Sequence, residues 1–140
     1  MKLNPYLSFD GRCRGAFEFY AKALGGRIVF MQTIGESPMA SGMPPEAHSR
    51  VMHVTLHIGD QVLQGADAPP GQYTKPDGFC VSVHFDEVAD GARVFTALAE
   101  NGKVQMPFQE TFWAKGFGML IDQFDTPWII NAGAAPPAKD

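Results

Sequence analysis

FDGRCRGAFEFYAKALGG (residues 9–26) and FDEVADGARVFTALAENG (residues 85–102) align without a gap at an offset of 76. Phe9, Asp10, Gly15, Ala16, Phe19, Ala21, Ala23 and Gly26 fall on Phe85, Asp86, Gly91, Ala92, Phe95, Ala97, Ala99 and Gly102, eight identities in eighteen positions. The offset is too long for a solenoid period, so one supersecondary unit is written twice.

Each copy opens with alternating residues. Leu3, Leu7 and Phe9 alternate with Asn4, Tyr6 and Ser8, the period of a half-buried strand, and Pro5 marks it as an edge. From about Arg12 to Leu24, the residues Cys13, Ala16, Phe17, Tyr20, Ala21 and Leu24 recur at helical spacing, and Gly25-Gly26 supplies the stop. Arg27 to Ile34 reads as a strand, GESPMASGMPPEAH as a long loop of the kind that forms a lid, forms a binding loop or is disordered, and Arg50 to Ile58 with Gln61 to Gly65 as a hairpin. DAPPGQYTKPDG (residues 67–78) is a linker. The second copy repeats the order: strand Phe79 to Phe85, helix from about Glu87 to Glu100 with Asp86 as N-cap, then strands near Lys103 to Trp113, Gly116 to Phe124 and Trp128 to Asn131.

The predicted fold class is therefore α+β, two tandem βαβββ modules (about 3–66 and 79–131) in a single domain spanning 1–134. Helices are expected on the outer face of a curved, cup-shaped mixed sheet, and residues 132–140 form a flexible tail. Polar stripes, with His53, Thr55 and His57 on one strand and Cys80, Ser82 and His84 on another, would line the cup; on the first, Met52, Val54, Leu56 and Ile58 would face the helix.

A net charge of -4 gives no basic footprint for nucleic acid. No stretch approaches the ~20 apolar residues of a membrane span, and MKLNPYLSFDG lacks the apolar core of a signal peptide. Two isolated cysteines agree with a reducing compartment, and a cytoplasmic location is expected.

His53 and His57, four apart on a strand, stand about 13 Å apart and cannot share a metal ion. His53 is the candidate general base, with Asp67 at a strand end or Glu110 within a strand as its acidic neighbour. Asp67 reads equally as a loop cap, and Cys13 as core. The aromatic-rich stretch from Glu110 to Asn131 offers Trp113, Phe117 and Trp128 as pocket walls or as core. With them, Tyr6, Gln64, Cys80 and Asn131 would edge a ligand cavity.

PYLSFDGRCRGAFEFYAKALGG, MHVTLHIGDQVLQGAD, ETFWAKGFG and DQFDTPWIIN resemble the vicinal oxygen chelate superfamily, which includes glyoxalase I, bleomycin-resistance proteins and extradiol dioxygenases, and within it the PhnB-like subgroup. The resemblance runs from Leu3 to Asn131 and implies a homodimer. It also implies that the metal-ligand positions of metal-dependent relatives fall on Asn4, Cys80, Gln64 and either Ile129 or Asn131. No cofactor is expected, because imidazole and carboxylate ligands are missing from these positions. The expected function is metal-free binding of a small apolar or aromatic molecule. The alternatives are a metal-dependent lyase, isomerase or dioxygenase-like enzyme with a non-standard site, and a ligand-free dimeric interaction module.

Overall fold

The structure is a computed structural model and describes residues 1–133. Nearly all of the expected tail thus lies outside the described residues. The chain divides into two compact units, Met1–Lys75 and Pro76–Asp140, with the boundary inside the Pro- and Gly-rich linker.

In the first unit β1 (Tyr6–Phe9), α1 (Cys13–Leu24), β2 (Arg27–Thr33), β3 (Val51–Ile58) and β4 (Gln61–Asp67) give a sheet of order β1-β4-β3-β2. The second repeats this with β5 (Val81–Phe85), α2 (Val88–Ala99), β6 (Lys103–Gln109), β7 (Gly116–Ile121) and β8 (Pro127–Ala132), ordered β5-β8-β7-β6. The first strand of each unit runs parallel to the last, and the other pairs are antiparallel. The α+β, two-module reading holds.

Both opening strands are shorter than the alternation predicts. Pro5 cannot donate to a ladder, so β1 starts at Tyr6. Val81 pairs with Trp128, which sets Cys80 opposite Pro127, and the missing N–H of that proline ends the ladder before Cys80. In the other direction β4 runs on to Asp67, so the linker begins at Ala68.

Helix packing corrects the repeat by one residue. Ala16, Tyr20 and Ala23 of α1 are buried, but at an offset of 76 they map onto half-buried Ala92, exposed Thr96 and half-buried Ala99. At an offset of 75 they map onto Gly91, Phe95 and Leu98, all buried. Three residues join β1 to α1 and two join β5 to α2, while the connection after the helix lengthens from two residues to three. The flanking strands keep the offset of 76: β1 and β5 occupy the same register, with Phe9 opposite Asp67 and Phe85 opposite Ala132. Gly26 and Gly102 also keep it, and for one reason. A Cβ at Gly26 would stand 2.8 Å from the carbonyl oxygen of His57, and one at Gly102 would stand 2.5 Å from that of Ile121.

A second shared feature is a bulge. Ile28 pairs with Leu56 but Phe30 with Thr55, so Val29 is the extra residue and Phe30 turns to the face opposite the helix. Val104 and Met106 skip Gln105 in the same way, 76 residues on. Another irregularity at Met52 brings Val51 opposite Thr33, and Val51 takes the buried place that strict alternation gives to Met52.

Asp67 is a clamp. Its Oδ1 accepts from the backbone N–H of Gly11 (2.7 Å) and of Cys13 (3.1 Å), and its Oδ2 accepts from that of Val51 (2.8 Å). The Arg12 side chain at the N-cap makes no capping bond, so α1 is capped from across the sheet. Arg50 adds a second tie, donating to the Ala68 carbonyl and to Asp10. In the second unit the expected cap Asp86 is displaced: Glu87 is the N-cap, and its side chain makes no capping bond. Asp90 in the first turn still complements the helix dipole.

The segment between β2 and β3 is ordered by three short 3-10 turns. Glu36 accepts from the N–H and hydroxyl of Thr33, which hold its carboxyl below the ordinary range. His48 Nε2 donates to the carbonyls of Ala40 and Met43.

Replacing Asp67 with Ala strands three backbone donors and should cost about 2–4 kcal/mol. Urea denaturation of Asp67→Ala measures this, and a loss below about 1 kcal/mol would remove the clamp from the argument.

Candidate functional site

Leu7, Phe9, Val54, Leu56, Leu63 and Gly65 face α1, and the alternate residues form the helix-free face of the first sheet. Pairing sets Tyr6 beside Gln64 and Gln64 beside Thr55. His53 lies on the same face. Its Nδ1 is 3.1 Å from the Tyr6 hydroxyl and its Nε2 is 3.0 Å from Thr55 Oγ1. The Tyr6 ring stands 5.7 Å from the imidazole on one side, and the Phe30 ring 5.9 Å from it. Partial burial, with Cys13 acting in the same direction, pushes the Tyr6 phenol above its ordinary pKa and keeps it protonated at neutral pH.

Of the expected site residues, Tyr6, His53 and Gln64 are thus brought together. Asp67 is not. It shares the helix-facing side of β4 with Gly65, and its two oxygens are engaged by backbone N–H groups. The acidic neighbour expected for His53 is replaced by Tyr6 and Thr55. Phe30 escaped the sequence reading because strict alternation keeps it with Ile28, and only the bulge at Val29 turns it over.

The helix-free face of the second sheet carries Phe117 opposite Asn131, and Asn131 opposite His84. Trp113 meets Phe117 edge-on at 5.1 Å, and Phe112 meets Trp113 at 4.7 Å. The Oδ1 atom of Asn131 is buried without a hydrogen-bond partner. Trp113, Phe117 and Asn131 therefore form a second group. Trp128 does not join it. It is 1% exposed on the helix-facing side, and its indole N–H donates to Asp122 at 2.8 Å, so it is core and not a pocket wall. Glu110 is exposed beyond the end of β6, not within a strand. Gly116 and Gly118 in β7 make room for Phe108 and Phe95.

The register also decides between Ile129 and Asn131. Tyr6 pairs with Gln64, and its counterpart Ser82 pairs with Ile129, so Ile129 is the match of Gln64. The donor set at the positions that the resemblance implies for a metal is then Asn4, Gln64, Cys80 and a hydrocarbon. Two neutral amides and one thiol do not fit a divalent centre of the imidazole and carboxylate kind. Among the described residues, no three His, Cys, Asp or Glu are grouped so that they could hold a metal ion.

The sequence matches the Glyoxalase/Bleomycin resistance protein/Dioxygenase superfamily over residues 2–130. The chain belongs to this superfamily. Protein YjdN of Escherichia coli K12 is 36% identical to it, with 99% of this chain and 100% of that protein covered. Among solved structures, protein PA1353 from Pseudomonas aeruginosa is 39% identical with a TM-score of 0.87, covering 95% of this chain and 98% of that one. The PhnB protein of Bacillus cereus, described as a putative 3-demethylubiquinone-9 3-methyltransferase, has a TM-score of 0.79 at 23% identity, covering 95% and 100%. At that identity the likeness is one of fold.

The two cysteines differ in exposure. Cys13 is wholly buried, and burial together with the Asp67 charge pushes its thiol far above the ordinary range, while Cys80 is half-buried. A thiol reagent should label Cys80 on the native protein and Cys13 only after denaturation. Fast labelling of both under native conditions would contradict this.

Proposed function

We propose that this superfamily member binds a small aromatic or apolar molecule on the helix-free face of its first unit, without the four-ligand metal centre of metal-dependent relatives. One observation carries the reading. Tyr6 and Phe30 are 53% and 48% exposed and stand on either side of His53, on a sheet whose other face is covered by α1. Half-exposed aromatics around fixed polar groups are what a small flat ligand needs for both area and orientation. The homodimer implied by the resemblance belongs to the proposal, as does a cytoplasmic location, which the two free cysteines support.

A panel of substituted benzenes and naphthalenes, titrated into wild type and Phe30→Ala, tests the binding face. Wild type should bind members of the panel, and Phe30→Ala should weaken them about tenfold. Absence of binding throughout the panel overturns the proposal. Near-stoichiometric zinc, nickel, manganese or iron in protein purified without chelators would overturn the metal-free part and favour a metal-dependent lyase, isomerase or dioxygenase. Sedimentation should give twice the 15.2 kDa chain mass, and a monomer at all concentrations would remove the dimer.

A further inference from the structure

We infer that Tyr6, His53 and Thr55 form an acid–base relay that binds a weakly acidic aromatic hydroxyl compound, a phenol or an aromatic enol, as its anion. The inference rests on the binding face proposed above and names the chemistry of its ligand.

Both nitrogens of His53 are engaged, one by Tyr6 and the other by Thr55. The imidazole therefore meets a ligand through the Tyr6 hydroxyl, which belongs to the half-exposed residue of the pair. With the His53 proton on Nε2, that N–H donates to Thr55 Oγ1, and Nδ1 accepts the Tyr6 O–H. The Tyr6 oxygen then has a lone pair free to accept a ligand O–H. Proton transfer closes without a co-reactant. The ligand O–H bond breaks and its proton bonds to the Tyr6 oxygen, while the proton that Tyr6 held passes to His53 Nδ1. The products are a ligand oxyanion, a neutral Tyr6 donating to it, and an imidazolium whose two N–H groups are accepted by Tyr6 and Thr55. Nothing is oxidised or reduced.

The charges around the face favour that product. Alternation and pairing set Ser8, Gln64, Ala66, Gln32, Arg27 and His57 on it beside the relay, two of them cationic or titratable to a cation and none acidic. The carboxylates at the strand ends are engaged elsewhere: Asp67 by backbone amides, Asp10 by Arg50, Glu36 by Thr33, and Asp60 by Gln61 in the β3–β4 turn. Among the described residues, an oxyanion there meets no fixed negative charge on the helix-free face of the first sheet and gains from the imidazolium one bond behind Tyr6. Phe30 supplies the apolar wall for the ring that bears it.

4-Nitrophenol and its methyl ether separate the relay from simple aromatic binding, because the phenolate absorbs at longer wavelength than the phenol. Below the ionisation midpoint of the free phenol, wild type should bind the phenol at least about tenfold tighter than the ether. The bound phenol should show the phenolate band. Tyr6→Phe and His53→Gln should each bring the phenol down to the affinity of the ether and abolish the band, with thermal melts confirming the fold. If His53→Gln fails to fold, Tyr6→Phe carries the comparison. Thr55→Val, which removes the partner of His53 Nε2 and leaves Tyr6 and Phe30 in place, should weaken the band. Equal binding of phenol and ether by wild type, or a neutral-phenol spectrum in the complex, overturns the relay and leaves aromatic binding standing. Binding of neither compound, nor of any in the broader panel, overturns both.

Discussion

The Asp67 carboxylate is the constraint on which the first unit turns. Three backbone N–H groups from three segments converge on it: Gly11 in the turn after β1, Cys13 at the start of α1, and Val51 at the start of β3. Charge-assisted bonds to a half-buried carboxylate are among the stronger local interactions a small domain has. They fix where the helix begins and where the strand carrying His53 leaves the long loop. In the second unit the same register position is Ala132, which packs against Gly91 so closely that a Cβ on that glycine would lie 2.8 Å away. One position thus holds its helix by charge in one copy and by close approach in the other.

The fold was largely legible because its signals are local. Alternation marked the strands, helical spacing marked α1 and α2, and the Gly and Pro stretches marked the joins. What escaped were one-residue adjustments. The ungapped repeat equates Ala16 with Ala92, yet burial equates it with Gly91, because α2 starts one residue nearer its preceding strand. No identity count detects such a slide. It becomes visible only when burial shows which side of each helix meets its sheet.

The candidate site was legible in part for the same reason. Tyr6, His53 and Gln64 share a face by parity alone, and the structure keeps them there. Phe30 depends on a bulge, and no residue type in RIVFMQT announces one. Asp67 and Trp128 were plausible site residues by type, but a carboxylate near free backbone donors and an indole near a buried Asp122 are drawn into structural roles. A sequence names the chemical group; the partners available within reach decide whether that group is free to act.

The glycines that receive aromatic rings show how the copies have parted. In the first unit a Cβ at Gly65 would stand 2.7 Å from the ring of Phe17; in the second, one at Gly118 would stand 2.6 Å from that of Phe95. By register Gly65 corresponds to Ile130 and Gly118 to Val54, while by helix burial Phe17 corresponds to Ala92 and Phe95 to Tyr20. At the first of these places large over small, Phe17 on Gly65, has become small over large, Ala92 on Ile130, a volume-conserving exchange; at the second both copies keep a large ring, and only the residue beneath it differs, Val54 or Gly118. Each helix is now keyed to its own sheet. A chimera that set α1 on the second sheet would drive Phe17 onto Ile130, and the reverse graft would leave a void above Gly65, so the two copies are not interchangeable parts.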